Sequence, residues 1–141
     1  MSTDDVVLNK AASIERAVNR VREEYANDDR NLTGDQTKQD SIVLNLQRAC
    51  EAAIDLAMHL VRVHRLGIPQ DSRDAFTLLV RAGHLDPDLA ERLKRMVGFR
   101  NVAIHDYQAL DLAIVRLIVT SGLDDLLSFT GRALRAGGQA R

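Results

Sequence analysis

Apolar side chains along this chain recur at three- and four-residue steps, the period of a helix with one buried face. Val7, Ala11, Ile14, Val18, Val21 and Tyr25 make the first such stripe. The polar run from Asn27 to Asp35, which holds Gly34, reads as a loop. A second, longer helix is expected from about Gln36 to Leu66, with Ile42, Leu46, Cys50, Ala53, Ala57 and Leu60 inward. Gly67-Ile68-Pro69 ends it. Ser72 is expected to cap a short helix carrying Phe76, Leu79 and Val80, closed by Gly83. Asp86-Pro87 combines a cap with proline at the first helical position, and Leu89, Leu93, Met96 and Val97 make the stripe that follows.

Asp106-Tyr107-Gln108 reads as a break. The last helix is expected from about Leu112 to Leu134, with Val115, Val119, Leu126 and Phe129 inward. Gly122 inside it marks close packing or a bend. No segment alternates with period two for the length of a strand. Four longer helices and a short one, joined by short loops, predict an all-α fold: an antiparallel up-and-down four-helix bundle with an additional short helix. A single domain is expected over residues 1–135, with 136–141 a flexible tail.

With 141 residues, 45% hydrophobic and 28% charged, the chain suits one core. A single cysteine, Cys50, excludes an intramolecular disulfide framework and fits a reducing cytosol. At 4% aromatic residues and no Trp, base-stacking platforms have little to build with. A net charge of −1 excludes a strongly basic nucleic-acid sleeve but leaves local patches open. The acidic start, Met1 to Asp5, lacks the order of a secretion signal. The stretch Leu110 to Leu127 is broken by Asp111, Arg116, Asp124 and Asp125, too polar for a membrane span. A soluble, cytoplasmic protein without membrane contact is expected.

The residues that violate the stripes carry the chemistry. Leu89, Leu93 and Met96 lead to Arg100, where the rhythm asks for an apolar side chain. An arginine on a core stripe is either paired or opens onto a cleft, because burying it alone is prohibitive. His105 follows five residues later, about 140° around an ideal helix, so the two converge only if the helix ends or widens first. A structural salt bridge for Arg100 and a helix-terminal place for His105 stand beside a functional pair. On the second helix Gln47, Glu51, Asp55 and His59 step by four. They read as a solvated face, with Glu51 and Asp55 as candidates to orient Arg100. There is no glycine-rich phosphate loop, nucleophile elbow or histidine-rich zinc motif, and no cofactor is expected.

Arg100-Asn101-Val102-Ala103-Ile104-His105-Asp106-Tyr107 resembles the R-x4-H-x-Y motif of the HEPN superfamily, and more narrowly of its HepT toxins. The likeness takes in Leu44 to Asp55, Gly67-Ile68-Pro69-Gln70, Ser72-Arg73-Asp74 and Met96-Val97-Gly98. A bare arginine and histidine at this spacing would be weak; the extended string on an all-helical chain is specific. The resemblance implies a homodimeric helical bundle that is a metal-independent ribonuclease toxin of a type II-like toxin–antitoxin system. It implies Arg100 and His105 as the catalytic pair and RNA as substrate. A MntA-like nucleotidyltransferase antitoxin is the implied partner, silencing the nuclease by AMPylation of Tyr107. Asn101 is a further supporting candidate. Histidine titrates near neutrality and can move the proton of the RNA 2′-hydroxyl, while arginine offers a permanent fork to phosphate. Arg92, Lys94 and Arg95 either rim such a groove or are ordinary solvated residues. A non-catalytic nucleotide-binding partner of a nucleotidyltransferase and a structural helical adaptor are the alternatives.

Overall fold

A computed structural model describes residues 4–138. Four aspartates begin the main helices by accepting from main-chain N–H groups in the first turn, the groups a helix leaves unpaired. Asp4 caps α1 (Asp5–Tyr25) and Asp35 caps α3 (Gln36–Val63), with the four-residue α2 (Arg30–Thr33) between them. Asp71 caps α4 (Ser72–Arg81), and Asp86 caps α5 (Pro87–His105). Asp111 does the same for α6 (Leu112–Leu117), which runs on through a π-helical stretch, Ile118–Gly122, into α7 (Leu123–Gly138).

The long α3 is the centre, packed against α1, α4, α5 and α7. Every residue of its expected stripe is buried. Phe76 of α4 meets Phe129 of α7 edge to face, with ring centroids 5.6 Å apart. The result is the all-α bundle the periodicity predicts, and nearly all of its buried apolar residues form one cluster. No helix among the described residues is long and apolar enough to cross a membrane.

Four expectations change. The loop from Asn27 to Asp35 contains α2, whose Leu32 is fully buried. One turn with one apolar residue leaves no periodicity to read. Asp71 replaces Ser72 as the cap of α4: its carboxylate takes the N–H of Asp74 at 2.8 Å, and Ser72 becomes the first helical residue. The second long helix stops at Val63, where His64 caps it and Arg65 turns left-handed with φ of 55°. Residues 136–138 of the expected tail are helical instead. α7 continues to Gly138, Ala136 is buried, and Val7 lies 3.0 Å from where a Cβ on Gly137 would stand. Residues 139–141 of that expected tail lie outside the described residues.

Gly122 marks close packing, the first of its two expected roles. A Cβ there would stand 2.9 Å from Met96 Cε and 3.1 Å from Ile118 Cγ2, so α5 packs close against it. It also sits in the π-helical stretch, where the backbone ladder widens by one residue.

Candidate functional site

The site is built on the C-terminal half of α5. Leu89, Leu93, Met96, Val97, Phe99 and Ala103 are buried, and they define the inward face of this helix. Arg100 points the same way. Its guanidinium is paired with Glu51 of α3, and Nη2 donates to Ser72 Oγ of α4 at 3.4 Å. The side chain is only 16% exposed, and its Nε is buried without a hydrogen-bond partner. Three helices therefore converge on one guanidinium, which satisfies the demand that a core-facing arginine be paired.

α5 remains regular through its last residue, His105, so nothing brings His105 round to Arg100. The histidine is exposed, on the opposite side of the helix from the buried face. Half-buried Asn101 lies on the side of His105, four residues back. Within one chain, the arginine and the histidine of the motif face different surroundings.

Asp106 ends α5, and Tyr107 opens a short 3-10 turn, Tyr107–Ala109. The Tyr107 hydroxyl donates to Asp40 Oδ1 at 2.7 Å. Partial burial, then the hydrogen bond and charge of Asp40, push the phenol up to about 12. Asp40 is held below the usual carboxylate range by the bonds from Tyr107 and Gln36.

Of the other expected site residues, Glu51 meets Arg100 and Asp55 does not. Asp55 is one turn further along α3 and faces α1, where it accepts from Lys10 Nζ at 3.2 Å. His59 leaves the solvated face altogether: it is buried, with Nε2 2.5 Å from Asp4 Oδ2. Of the three upstream cations, Arg92 pairs with Asp125 and Lys94 with Glu91, while Arg95 lines a groove. Cys50 is core, and burial pushes its thiol up to about 12. Among the described residues no three His, Cys, Asp or Glu side chains are grouped as a metal ion would need. Asp40 and Ser72 were missed as site residues. Each is remote in sequence from the motif residue it touches; nothing in the local pattern marks Asp40, and Ser72 stood out only as a cap and within the family likeness.

Beside this end of α5 an apolar groove of about 650 Å³ runs between α5 and α6. Phe99, Val102, Leu110, Ile114 and Leu117 line it, and Leu117 is 64% exposed.

A family model described as ribonuclease HepT-like matches residues 14–133. The chain belongs to the HepT-like ribonuclease family. The mRNA nuclease HepT of Shewanella oneidensis is 48% identical over 126 residues, covering 89% of this chain and 94% of that one. A putative RNase of Archaeoglobus fulgidus is 32% identical over 91 residues, covering 64% of this chain and 68% of that one. Among solved structures, the tri-AMPylated Shewanella oneidensis HEPN toxin in complex with MNT antitoxin is similar with a TM-score of 0.86. It is 46% identical, and the match covers 92% of this chain and 96% of that one. A toxin–antitoxin structure with AMP-PNP gives a TM-score of 0.87 at 46% identity, covering 92% and 97%. The arginine–histidine–tyrosine string, Arg100 to Tyr107, lies within the residues that the family model matches.

Proposed function

We propose that this protein is the ribonuclease toxin of a toxin–antitoxin pair. It cuts RNA with Arg100 and His105 and is silenced when a nucleotidyltransferase antitoxin adds AMP to Tyr107. The observation that carries this reading is the motif itself. In a chain of the HepT-like ribonuclease family, Arg100, His105 and Tyr107 all stand at one end of α5.

The chemistry needs no cofactor in principle, because RNA brings its own nucleophile. His105, exposed at the helix end, takes the proton of a 2′-hydroxyl. The freed oxygen attacks the neighbouring phosphorus, the 5′-oxygen leaves with a proton, and a 2′,3′-cyclic phosphate remains. Charge gathers on the phosphate oxygens as this happens, and a guanidinium stabilises it.

One chain turns Arg100 and His105 apart, which favours a site completed by a second copy. The apolar groove and the exposed Val102, Ile114 and Leu117 beside it suit such a homodimer, since an exposed apolar patch of this kind marks an interface. Tyr107 is positioned two residues beyond His105, so AMP added there would set a negative phosphate against the RNA phosphate.

The deciding experiment is cleavage of RNA by the purified protein with chelator present, with intact mass recorded for each sample. His105→Ala and Arg100→Ala are expected to fold and to lose activity on the order of a hundredfold or more. Tyr107→Phe is expected to cut and to resist AMP addition by the antitoxin. Alanine variants that cut as well as unmodified wild type would remove the catalytic assignment. The non-catalytic nucleotide-binding partner would then be the better reading.

A further inference from the structure

The side of α5 that carries His105 also receives a cation from α4. Positions 94, 98, 101 and 105 fall within about 60° of one another around an ideal helix. Lys94, Gly98 and Asn101 are half-buried and His105 is exposed, so this stripe opens outward. Arg73, in the first turn of α4, lies across it. Its Nε donates to the main-chain carbonyl of Lys94 at 3.3 Å. Its Nη2 lies 3.1 Å from where a Cβ on Gly98 would stand, so the glycine leaves room for the guanidinium against the helix.

Arg73 is exposed, and among the described residues no carboxylate pairs with it. Arg100 differs on each count: it is largely buried, committed to Glu51, and turned away from His105. Arg73 thus brings a guanidinium with a free fork to the histidine's side of α5. From Gly98 to His105 the helix rises about 10 Å. That separation is too large for one phosphate to touch both side chains at their roots, and within reach of neighbouring phosphates on one strand.

We propose that Arg73 binds a second phosphate of the RNA, a neighbour of the one cut at His105, and thereby sets the strand on α5. The proposal rests on the ribonuclease reading. A planar guanidinium matches two phosphate oxygens at once. Anchoring Nε on the Lys94 carbonyl holds the fork in place before RNA arrives, which lowers the ordering cost of binding.

The test uses the full chain and two probes. One is a 2′-O-methyl RNA oligonucleotide, which lacks the free 2′-hydroxyl needed for cutting, with binding followed by anisotropy across a salt series. The other is an ordinary RNA followed for cleavage. Arg73→Ala is expected to weaken binding about tenfold, as for the loss of a charge-assisted contact. It is expected to shallow the log–log salt dependence by about 0.7, the release of one counterion from a single strand. KM should rise while kcat stays near wild type, and the thermal midpoint should not move. Arg73→Lys should restore the salt slope and only part of the affinity. Arg81→Ala removes an exposed arginine from the far end of α4 and should leave binding unchanged.

If Arg73→Ala binds and cuts as wild type does, or Arg81→Ala weakens binding equally, the proposal is overturned and the ribonuclease reading stands. If wild type neither binds nor cuts RNA, both are overturned together.

Discussion

Tyr107 donates a 2.7 Å hydrogen bond to Asp40, tying the turn after α5 to the start of α3 across 67 residues of sequence. The phenol is pushed up to about 12 from its ordinary 10, so the folded protein holds that proton more tightly than the unfolded chain does. The contribution to stability is whole below about pH 10 and is lost as pH rises through about 12. Asp40→Asn should bring the phenol part of the way back, since the burial remains. Phenolate absorbance in a Tyr25→Phe background, which leaves one tyrosine, reads this directly. An unchanged titration would show that Asp40 does not govern Tyr107 in solution.

The Arg100–Glu51 pair is unequal in exposure. The arginine side chain is 16% exposed and the glutamate 40%. Removing the glutamate strands a largely buried guanidinium whose Nε already lacks a partner. Removing the arginine leaves a carboxylate that water can reach. Glu51→Ala should therefore cost about 2–3 kcal/mol in chemical denaturation, with Arg100→Ala costing less. The reverse order would mean that the packing of the arginine stem, rather than its charge, dominates.

Gly131 in α7 and Gly122 in the π-helical stretch before it should respond in opposite senses to alanine. At Gly131 an added Cβ meets nothing within 4 Å, so Gly131→Ala should stabilise by up to about 1 kcal/mol. At Gly122 the same Cβ stands 2.9 Å from Met96 Cε and 3.1 Å from Ile118 Cγ2, within the π-helical stretch. Overpacking there costs about 1–3 kcal/mol and offsets the gain in propensity. Thermal midpoints of the two variants, compared with wild type, decide it. A stabilising Gly122→Ala would mean that Met96 swings aside freely.

His84 lies tilted against His64, with ring centroids 4.5 Å apart, and Arg132 donates to its main-chain carbonyl. Burial, then the nearby His64 and Arg132, lower its pKa below the ordinary 6.5. A histidine depressed in the fold takes up its proton more readily when unfolded. Its contribution to stability is therefore present above about pH 6.5 and is lost as pH falls through the lower folded value. His84→Gln should flatten the fall in melting temperature between about pH 7 and about pH 5 relative to wild type. An unaltered slope would assign the acid sensitivity to other groups.

The sequence by itself determined the helices. Stripes with a 3.6-residue period and the Asp86-Pro87 start are local signals, and they placed α1, α3, α4 and α5 within a few residues. It also marked Arg100 as a charge on a core face, because the violation of a stripe is visible along one helix. The short α2 escaped, since one buried Leu32 makes no period, and the end of the last helix escaped because its small residues Ala136 and Gly137 look like tail. Which partner each charge takes was decided by the tertiary structure alone. Asp40 reaches Tyr107, Glu51 and not Asp55 reaches Arg100, and Arg73 crosses onto α5 at Gly98. These are contacts between helices distant in sequence. Helical periodicity fixes the face a residue occupies, whereas the packing of one helix on another fixes what that face meets.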